Sequence, residues 1–359
     1  MKLAGLVLCA GRGTRLGCLT QRWPKAAIPL LGQPLLRFPL ALLAKAGIGE
    51  VGVNVHHLPK KMEEVAREEA ARMQLGLTLS HEETLQGTGG GLRELMRRLS
   101  ADAWVVVNGD VVLSMELTPF IQEHLASGAD VSMLLMPMPE GATYNPVEVD
   151  EAGRVCRIAS HGPGGLRTQP WHFMGVYMLS SSVLPYLERP GFFDIAHDIF
   201  PQLIGDGRFI RAHCLPTPPY WSDVGTYERF LQTHDDLMAG RVDGSPFFPH
   251  WPWRTPTPEA IYLEQGVCFG RGMALTPPLW ISGGKLRQGQ LGPFVSVGAG
   301  VQLGEGQCFQ HAALLEGATL LEPNRHYVSG IAVGEQWIPV ETLKPPKTGE
   351  KIPQADKEP

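Results

Sequence analysis

The sequence lacks three things that would each point to a function class. There is no CxxC pair, no run of basic residues, and no apolar stretch near the ~20 residues that a membrane span requires. The six cysteines, Cys9, Cys18, Cys156, Cys214, Cys268 and Cys308, stand far apart in the 359 residues. Such spacing argues against a zinc site and a disulfide scaffold and suits buried thiols in a reducing compartment. With 31 Lys and Arg against 36 Asp and Glu, the formal charge is −5, and no basic footprint for a nucleic-acid backbone is present. The apolar run Leu3–Leu8 leads into glycines and arginines without a small-residue cleavage site, so it reads as a first strand and not as a signal peptide. A cytoplasmic location is the expectation. No nucleic-acid or membrane partner is expected.

What is present is a large apolar fraction, 43% against 19% charged, enough for a sizeable core, in a chain long enough for two domains. Residues 3–9, 51–55, 75–79 and 104–107 read as strands, the first and last of them wholly apolar as in a buried parallel sheet. Residues 34–47, 59–73 and 92–99 have the apolar spacing of helices. The alternation predicts an α/β fold, a Rossmann-like domain with a mostly parallel central sheet. Further strands are expected at 131–136, 146–150, 154–158 and 172–179, and helices near 181–188, 194–204 and 225–238. The stretch Pro246 to Pro258, rich in Pro and Trp, breaks the pattern and reads as a linker.

The last third repeats. Leu291, Val297, Leu303, Phe309, Leu315 and Leu321 recur every six residues, Gly292, Gly298 and Gly304 follow the first three, and Val295, Val301 and Ala313 mark a second apolar position. A six-residue period with one aliphatic knob per side predicts a short left-handed parallel β-helix, with the register failing at Lys285. The predicted organisation is an α/β domain at 1–240, a linker at 241–262, a β-helix at 263–338 and a flexible, charged, Pro-rich tail at 339–359.

Four segments hold residues with chemistry. Ala10-Gly11-Arg12-Gly13-Thr14-Arg15-Leu16 follows the first strand; glycines there let the backbone present N–H groups to an anion, and Arg15 adds a forked cation suited to phosphate. Lys25, after Pro24, adds a second cation. The segment matches neither GxGxxG nor a Walker A loop, and a plain strand-to-helix turn with solvated arginines has the same look. Asn108-Gly109-Asp110 ends an apolar strand, where ligands of open α/β sheets bind, and a carboxylate there could hold Mg²⁺ beside a phosphate; an Asp in a Gly-containing turn is the plainer alternative. Asp223, in Tyr220-Trp221-Ser222-Asp223-Val224-Gly225-Thr226, is either a second metal ligand or a helix-start charge. Leu85-Gln86-Gly87-Thr88-Gly89-Gly90-Gly91 reads as a loop whose backbone amides could line a nucleobase.

Taken together these segments resemble the sugar-1-phosphate nucleotidylyltransferase family over about residues 1–240. That family opens with GxGTRL and a Pro-Lys pair, matched by Gly11 to Leu16 and Pro24-Lys25. It places one Asp at the end of a central strand, matched by Asp110, and a second in W-x-D-x-G-T, matched by Trp221 to Thr226. Its Gly-rich base loop is matched by Gly87 to Gly91, and β-helix tails are common in it. The resemblance implies attack by a sugar-1-phosphate oxygen on the α-phosphorus of a nucleoside triphosphate, with pyrophosphate leaving. It implies Mg²⁺ held by Asp110 and Asp223, Arg15 on the leaving pyrophosphate and Lys25 on the reacting phosphates. Ala10, Gly11, Gly13, Thr14, Gln86, Gly87, Thr88 and Gly90 would meet the nucleotide, and Asn145, Glu148 and Gly175 the sugar.

The match departs from the family in places. The Glu-Lys-Pro segment whose Lys grips the sugar phosphate is replaced by Arg157 to Pro163, leaving Arg157, His161 or Arg167 to substitute. Cys18 and Ala26 stand where prolines are usual. Bacterial uridylyltransferases acting on N-acetylmuramic acid 1-phosphate share the missing segment, Thr88 to Gly91, Val107 to Val111 and Trp221 to Thr226. Guanylyltransferases forming GDP-mannose share the tail. UTP and GTP are both open. A regulatory protein that binds a sugar nucleotide without turnover is the alternative from another class, and acyl transfer by the β-helix through His311 or His326 is a remote third. The β-helix is expected to serve in regulation or as the contact of a homo-oligomer.

Overall fold

Runs such as Leu-Ala-Gly-Leu-Val-Leu and Ala-Trp-Val-Val-Val-Asn have no polar face to offer water, so both faces of their strands must be covered. In the computed structural model, which describes residues 1–139, 145–158, 168–248, 260–264, 267–283, 285–286 and 288–341, they form the centre of a sheet. Leu3–Leu8 (β1), Glu50–Val55 (β2), Gly76–His81 (β3) and Ala103–Asn108 (β4) pair in parallel in the order β4-β1-β2-β3. Leu8 lies opposite Asn54 on one side and Asn108 on the other. The three strands therefore end together. Val111–Leu113 (β5), Val131–Pro137 (β6), Val147–Val149 (β7), Gln169–Ser180 (β8), Ile210–Cys214 (β9) and Trp221–Asp223 (β10) follow. The long β8 runs antiparallel to β4, β6 and β7, and β9 joins β6 in parallel. Outside this sheet, β5 and β10 form a two-stranded antiparallel pair.

Helices Arg37–Lys45 (α1), Pro59–Arg72 (α2), Gly87–Arg98 (α3) and Thr118–Ser127 (α4) flank the strands. Leu6 clusters with Leu92, Leu95 and Trp104 on one face. Gly5, one residue earlier and so on the opposite face, lies against Leu43 of α1. The predicted α/β layering is thus present. Helix α1 is locked to α2 by a buried bidentate pair: Arg37 Nε and Nη2 donate to Glu69 Oε2 and Oε1, each at 2.7 Å, with side chains 2% and 4% exposed.

After Tyr227–Met238 (α5) the chain becomes a stack of short parallel strands. Ile261–Leu263 (β11), Leu279–Ile281 (β12), Val295–Val297 (β13) and the end of Gln307–Leu314 (β14) form one ladder, continued by His326–Val333 (β15). Partners such as Leu279 and Val295, Leu303 and Leu320, or Leu291 and Phe309 are 16 to 18 residues apart. That stacking is compatible with the expected β-helix and extends ahead of Lys285, which itself pairs with Cys268; 16- and 17-residue coils hide the six-residue period there. Three expected positions are corrected: Ala312 stands opposite Val295 in place of Ala313, Leu314 opposite Val297 in place of Leu315, and Leu320 points inward while Leu321 is 61% exposed. The register slips by one residue after Phe309, at His311, whose φ is 47°. The glycines of the repeat sit where neighbouring coils touch: a Cβ on Gly298 would lie 2.7 Å from the Glu316 backbone nitrogen. Gln336–Pro339 pairs antiparallel with β15 and ends the stack.

By its contacts the chain divides into two units, one of Met1–Thr14, Thr20–Ala27 and Leu35–Asp223, the other of Arg15–Leu19, Ile28–Pro34 and Val224–Pro359. Helix α5 belongs to the second and packs on β14 and β15. Most of the linker read at Pro246 to Pro258, and the tail from 342, lie outside the described residues.

Removing one partner of a buried, hydrogen-bonded pair leaves an uncompensated charge, which costs about 3–5 kcal/mol. Arg37→Ala is therefore expected to lower stability by about that amount in urea unfolding followed by tryptophan fluorescence; a loss below about 1 kcal/mol would show that Glu69 finds another partner.

Candidate active site

At the carboxyl ends of β1, β2 and β4 lies a cavity of about 330 Å³. Ala10 and Gly11, directly after β1, line it, as do Lys25, Gly87, Thr88 and Asp110. Around Gly11 nothing approaches within 4 Å of an added Cβ, so its backbone faces open space. Gly13, with φ 61°, packs instead: an added Cβ would meet Lys25 Cβ at 3.0 Å. Lys25 sits on a one-turn helix, Lys25–Ala27, and its Nζ donates to Asp110 Oδ2. Asp110 stands two residues beyond Asn108, the residue opposite Leu8, so the strand register itself puts the carboxylate beside the glycine segment. On β10, Asp223 is the register partner of Val111, the residue after Asp110. The antiparallel pair thereby brings both acidic segments to one place. Burial first, and the Asp110 charge second, push the Cys9 thiol up, which keeps this cavity-lining thiol protonated.

The segment Gly87 to Gly91, expected as a loop, is the start of helix α3. The glycines are there because neighbouring atoms occupy the space of a Cβ: Phe193 O at 2.3 Å for Gly87 and Asn54 Nδ2 at 2.5 Å for Gly91. Residues 192–194 are laced to this helix start. Gly89 N donates to Phe193 O at 3.1 Å, Phe193 N to Gln86 O at 3.1 Å, and Thr88 Oγ1 to Asp194 Oδ2 at 2.6 Å. Gln86 is engaged elsewhere, its Oε1 accepting from Arg93 Nη2 at 2.8 Å. Gly90 closes on Gln86 Cβ.

The remaining expected residues lie apart from the cavity lining. Thr14 and Arg15 are exposed on the turn Thr14–Leu16. Asn145 is exposed. Glu148 of β7 accepts from Thr168 Oγ1 at 3.0 Å and pairs with Arg157 at 3.2 Å. Gly175, φ 76°, lies in the irregular stretch of β8 with its Cα side against Asn108 Nδ2 and Val111. His161 and Arg167 lie outside the described residues.

Sequence reasoning missed a polar wall. Cys9 N donates to Asn54 Oδ1 at 2.7 Å, Asn54 Nδ2 to Glu82 Oε1 at 2.7 Å, and Gln86 N to Glu82 Oε2 at 2.9 Å. Asn54 and Glu82 are buried and line the cavity with Asp194 and Phe192, the last 70% exposed at its edge. A single Asn inside the apolar Val-Gly-Val-Asn-Val was the available signal.

Residues 4–240 match the family described as nucleotidyl transferase. The chain belongs to that family. It is similar to a mannose-1-phosphate guanylyltransferase of Mycobacterium tuberculosis, 27% identical over 314 residues that cover 87% of this chain and 79% of the relative. A UTP–glucose-1-phosphate uridylyltransferase of Synechocystis is 24% identical over 67% of this chain and 64% of its own length. A glucose-1-phosphate adenylyltransferase of Deinococcus radiodurans is 24% identical over 81% and 82%. Membership of that family makes the protein a nucleotidyl transferase enzyme of NDP-sugar type chemistry. Among the described residues no helix is long and apolar enough to cross a membrane.

Gly87→Ala tests the cavity wall. At φ 76° with Phe193 O at 2.3 Å, a methyl group must push residues 192–194 away at a cost of about 1–3 kcal/mol. The expected result is a lower Tm together with weaker nucleotide binding by calorimetry; melting and binding both unchanged would show that the segment yields freely.

Proposed function

We propose that this nucleotidyl transferase family member joins a sugar-1-phosphate to the nucleotidyl group of UTP or GTP. A phosphate oxygen of the sugar-1-phosphate forms a bond to the α-phosphorus as the bond to the β-phosphate oxygen breaks, and pyrophosphate leaves. The observation that carries the reading is the Lys25–Asp110 ion pair in the cavity between Gly11 and the start of α3. Phosphoryl-type transfers depend on positioning and charge neutralisation more than on covalent catalysis, and the site offers one cation and one carboxylate side by side at the strand ends.

The donor set fits Mg²⁺. Asp110 and Asp223 offer hard carboxylate oxygens of the kind Mg²⁺ takes, usually one or two beside phosphate and water, and β5 and β10 hold them at adjoining positions. Such an ion supplies neutralisation of phosphate charge when bound.

The chain's own groups do the rest. Lys25 is paired with Asp110 and can turn its ammonium to phosphate oxygens. Gly11 presents an unobstructed backbone to the nucleotide. Thr88 is fixed by Asp194, and the Asn54–Glu82 pair holds the Cys9 amide and the Gln86 amide, so that the walls on either side of the nucleotide are preorganised. Arg15 is proposed for the leaving pyrophosphate, and Gly175, Asn145 and Glu148 for the sugar side. The relatives' names include guanylyl, uridylyl and adenylyl transfer, and the split between UTP and GTP rests on the motif pattern alone.

Pyrophosphate release measured over nucleoside triphosphates and a panel of sugar-1-phosphates with Mg²⁺ is expected to give turnover with UTP or GTP. Asp110→Asn is expected to keep its Tm and lose roughly 10²–10³ in rate. Near-normal turnover of that variant would remove Asp110 from the site, and no release with any pair would leave a binding protein.

A further inference from the structure

Phe192 and Phe193 are neighbours in the chain with opposite environments: Phe193 is 1% exposed and Phe192 70%. Gly191, with φ 79°, turns the chain just before them. The Phe193 ring lies under the guanidinium groups of Arg93 and Arg189, 5.6 and 5.3 Å from its centroid. Its backbone is bonded both ways to the start of α3, through Gln86 O and Gly89 N. Asp194 fixes the following residue. Its Oδ1 accepts from Ala196 N at 2.9 Å and His197 N at 3.1 Å, while its Oδ2 accepts from Thr88 Oγ1. Phe192 is thus an exposed apolar ring carried on a fixed backbone at the edge of the cavity.

The charged groups around that edge are engaged within the chain. The Asp194 carboxylate serves three donors, and Arg93 donates to Gln86 Oε1 and Arg189 O. Glu82 accepts from Asn54 Nδ2 and from Gln86 N. The pair suited to phosphate and its counter-ion, Lys25 and Asp110, stands beside the glycine segment, where Lys25 packs on Gly13. A nucleotide whose phosphates meet that pair leaves its base for the remaining wall, formed by Leu85, Gly87, Thr88 and Phe192. A flat heterocycle suits an exposed phenyl ring, because offset stacking buries apolar area on both and adds an attraction between the rings.

We propose that Phe192 is the stacking platform for the nucleobase, covering one face of the ring while the start of α3 meets its edge. The proposal rests on the nucleotide lying in this cavity, as in the transferase reading. Stacking is available to every base, so Phe192 adds affinity for the base as such and leaves the choice between UTP and GTP to other groups. Its support on residues 193 and 194 makes it a preorganised contact that needs no rearrangement of the chain to form.

The test is calorimetric titration of the full chain, with Mg²⁺, by UTP, GTP and base-free tripolyphosphate. Phe192→Ala is expected to weaken binding of the nucleotide that the native chain takes by about tenfold or more. Tripolyphosphate binding and the Tm should stay unchanged, and Phe192→Trp should restore nucleotide affinity. Nucleotide affinity unaltered in Phe192→Ala overturns the proposal. An equal loss of tripolyphosphate binding also overturns it, since the effect would then lie in the phosphate site. So does a change confined to the KM of the sugar-1-phosphate, which would put the ring on the sugar. Nucleotide binding that depends on Phe192 in a chain that releases no pyrophosphate with any sugar-1-phosphate would sink the transferase reading and uphold the platform.

Discussion

Leu8 stands between Asn54 and Asn108 at the ends of three parallel strands, and the chemistry of the first unit depends on that register. The glycine segment leaves from β1 and Asp110 from β4, while Glu82 follows β3, the next strand beyond β2. A slip of one residue between β1 and β4 would move Asp110 by about 3.3 Å along the strand and turn every side chain of β4 to the opposite face. Trp104 and Val106 would then leave the cluster around Leu92 and Leu95. The core thus polices the position of the acid: the apolar packing that stabilises the sheet is the same constraint that sets Lys25 and Asp110 together. Site geometry built on strand ends has this economy, since no separate device is needed to align it.

The second constraint is close approach. Helix α3 begins where Phe193, Gln86, Asn54 and Glu82 press on it, and any side chain at Gly87, Gly89, Gly90 or Gly91 would displace one of them. A run of glycines weakens a helix by roughly 1 kcal/mol each relative to alanine. The hydrogen bonds from Gly89 and Thr88 to residues 193 and 194 offset part of that loss and hold the helix start against the cavity. From composition alone such a run looks like a loop, because intrinsic propensity is a statement about an isolated helix, and here tertiary contact overrides it.

What was legible in the sequence was local. Wholly apolar strands showed themselves by lacking a polar face, and Gly11, Lys25, Asp110 and Asp223 by residue type next to strand ends. Non-local pairings were not legible. Nothing in Glu82 announces that it will accept from Asn54 and from Gln86 N, because those partners come from separate segments brought together by parallel crossover. Strand β9, Ile-Arg-Ala-His-Cys, hides a buried strand among polar letters since Arg211 and His213 both turn to Glu123. In the solenoid the six-residue count located the inward knobs up to Phe309 and then missed by one, Leu314 standing opposite Val297 and Leu320 opposite Leu303, since a single positive-φ residue shifts the count without changing the composition.

Helix α5 shows how a sequence boundary and a physical one differ. The family match ends at residue 240, just past this helix, yet its buried side chains look toward the solenoid. His234 reaches Ser296 of β13, and Asp235 reaches His311 of β14. Of the charged or polar residues in α5, Thr233, His234, Asp235 and Asp236 are all buried, an unusual density for one helix. Buried polar groups are tolerable only when each has its partner. For His234 and Asp235 those partners come from strands 62 and 76 residues further along the chain. Cutting the chain at the end of the family match would take Ser296 and His311 away from His234 and Asp235, so helix α5 is tied to the solenoid by polar satisfaction as much as by the peptide backbone.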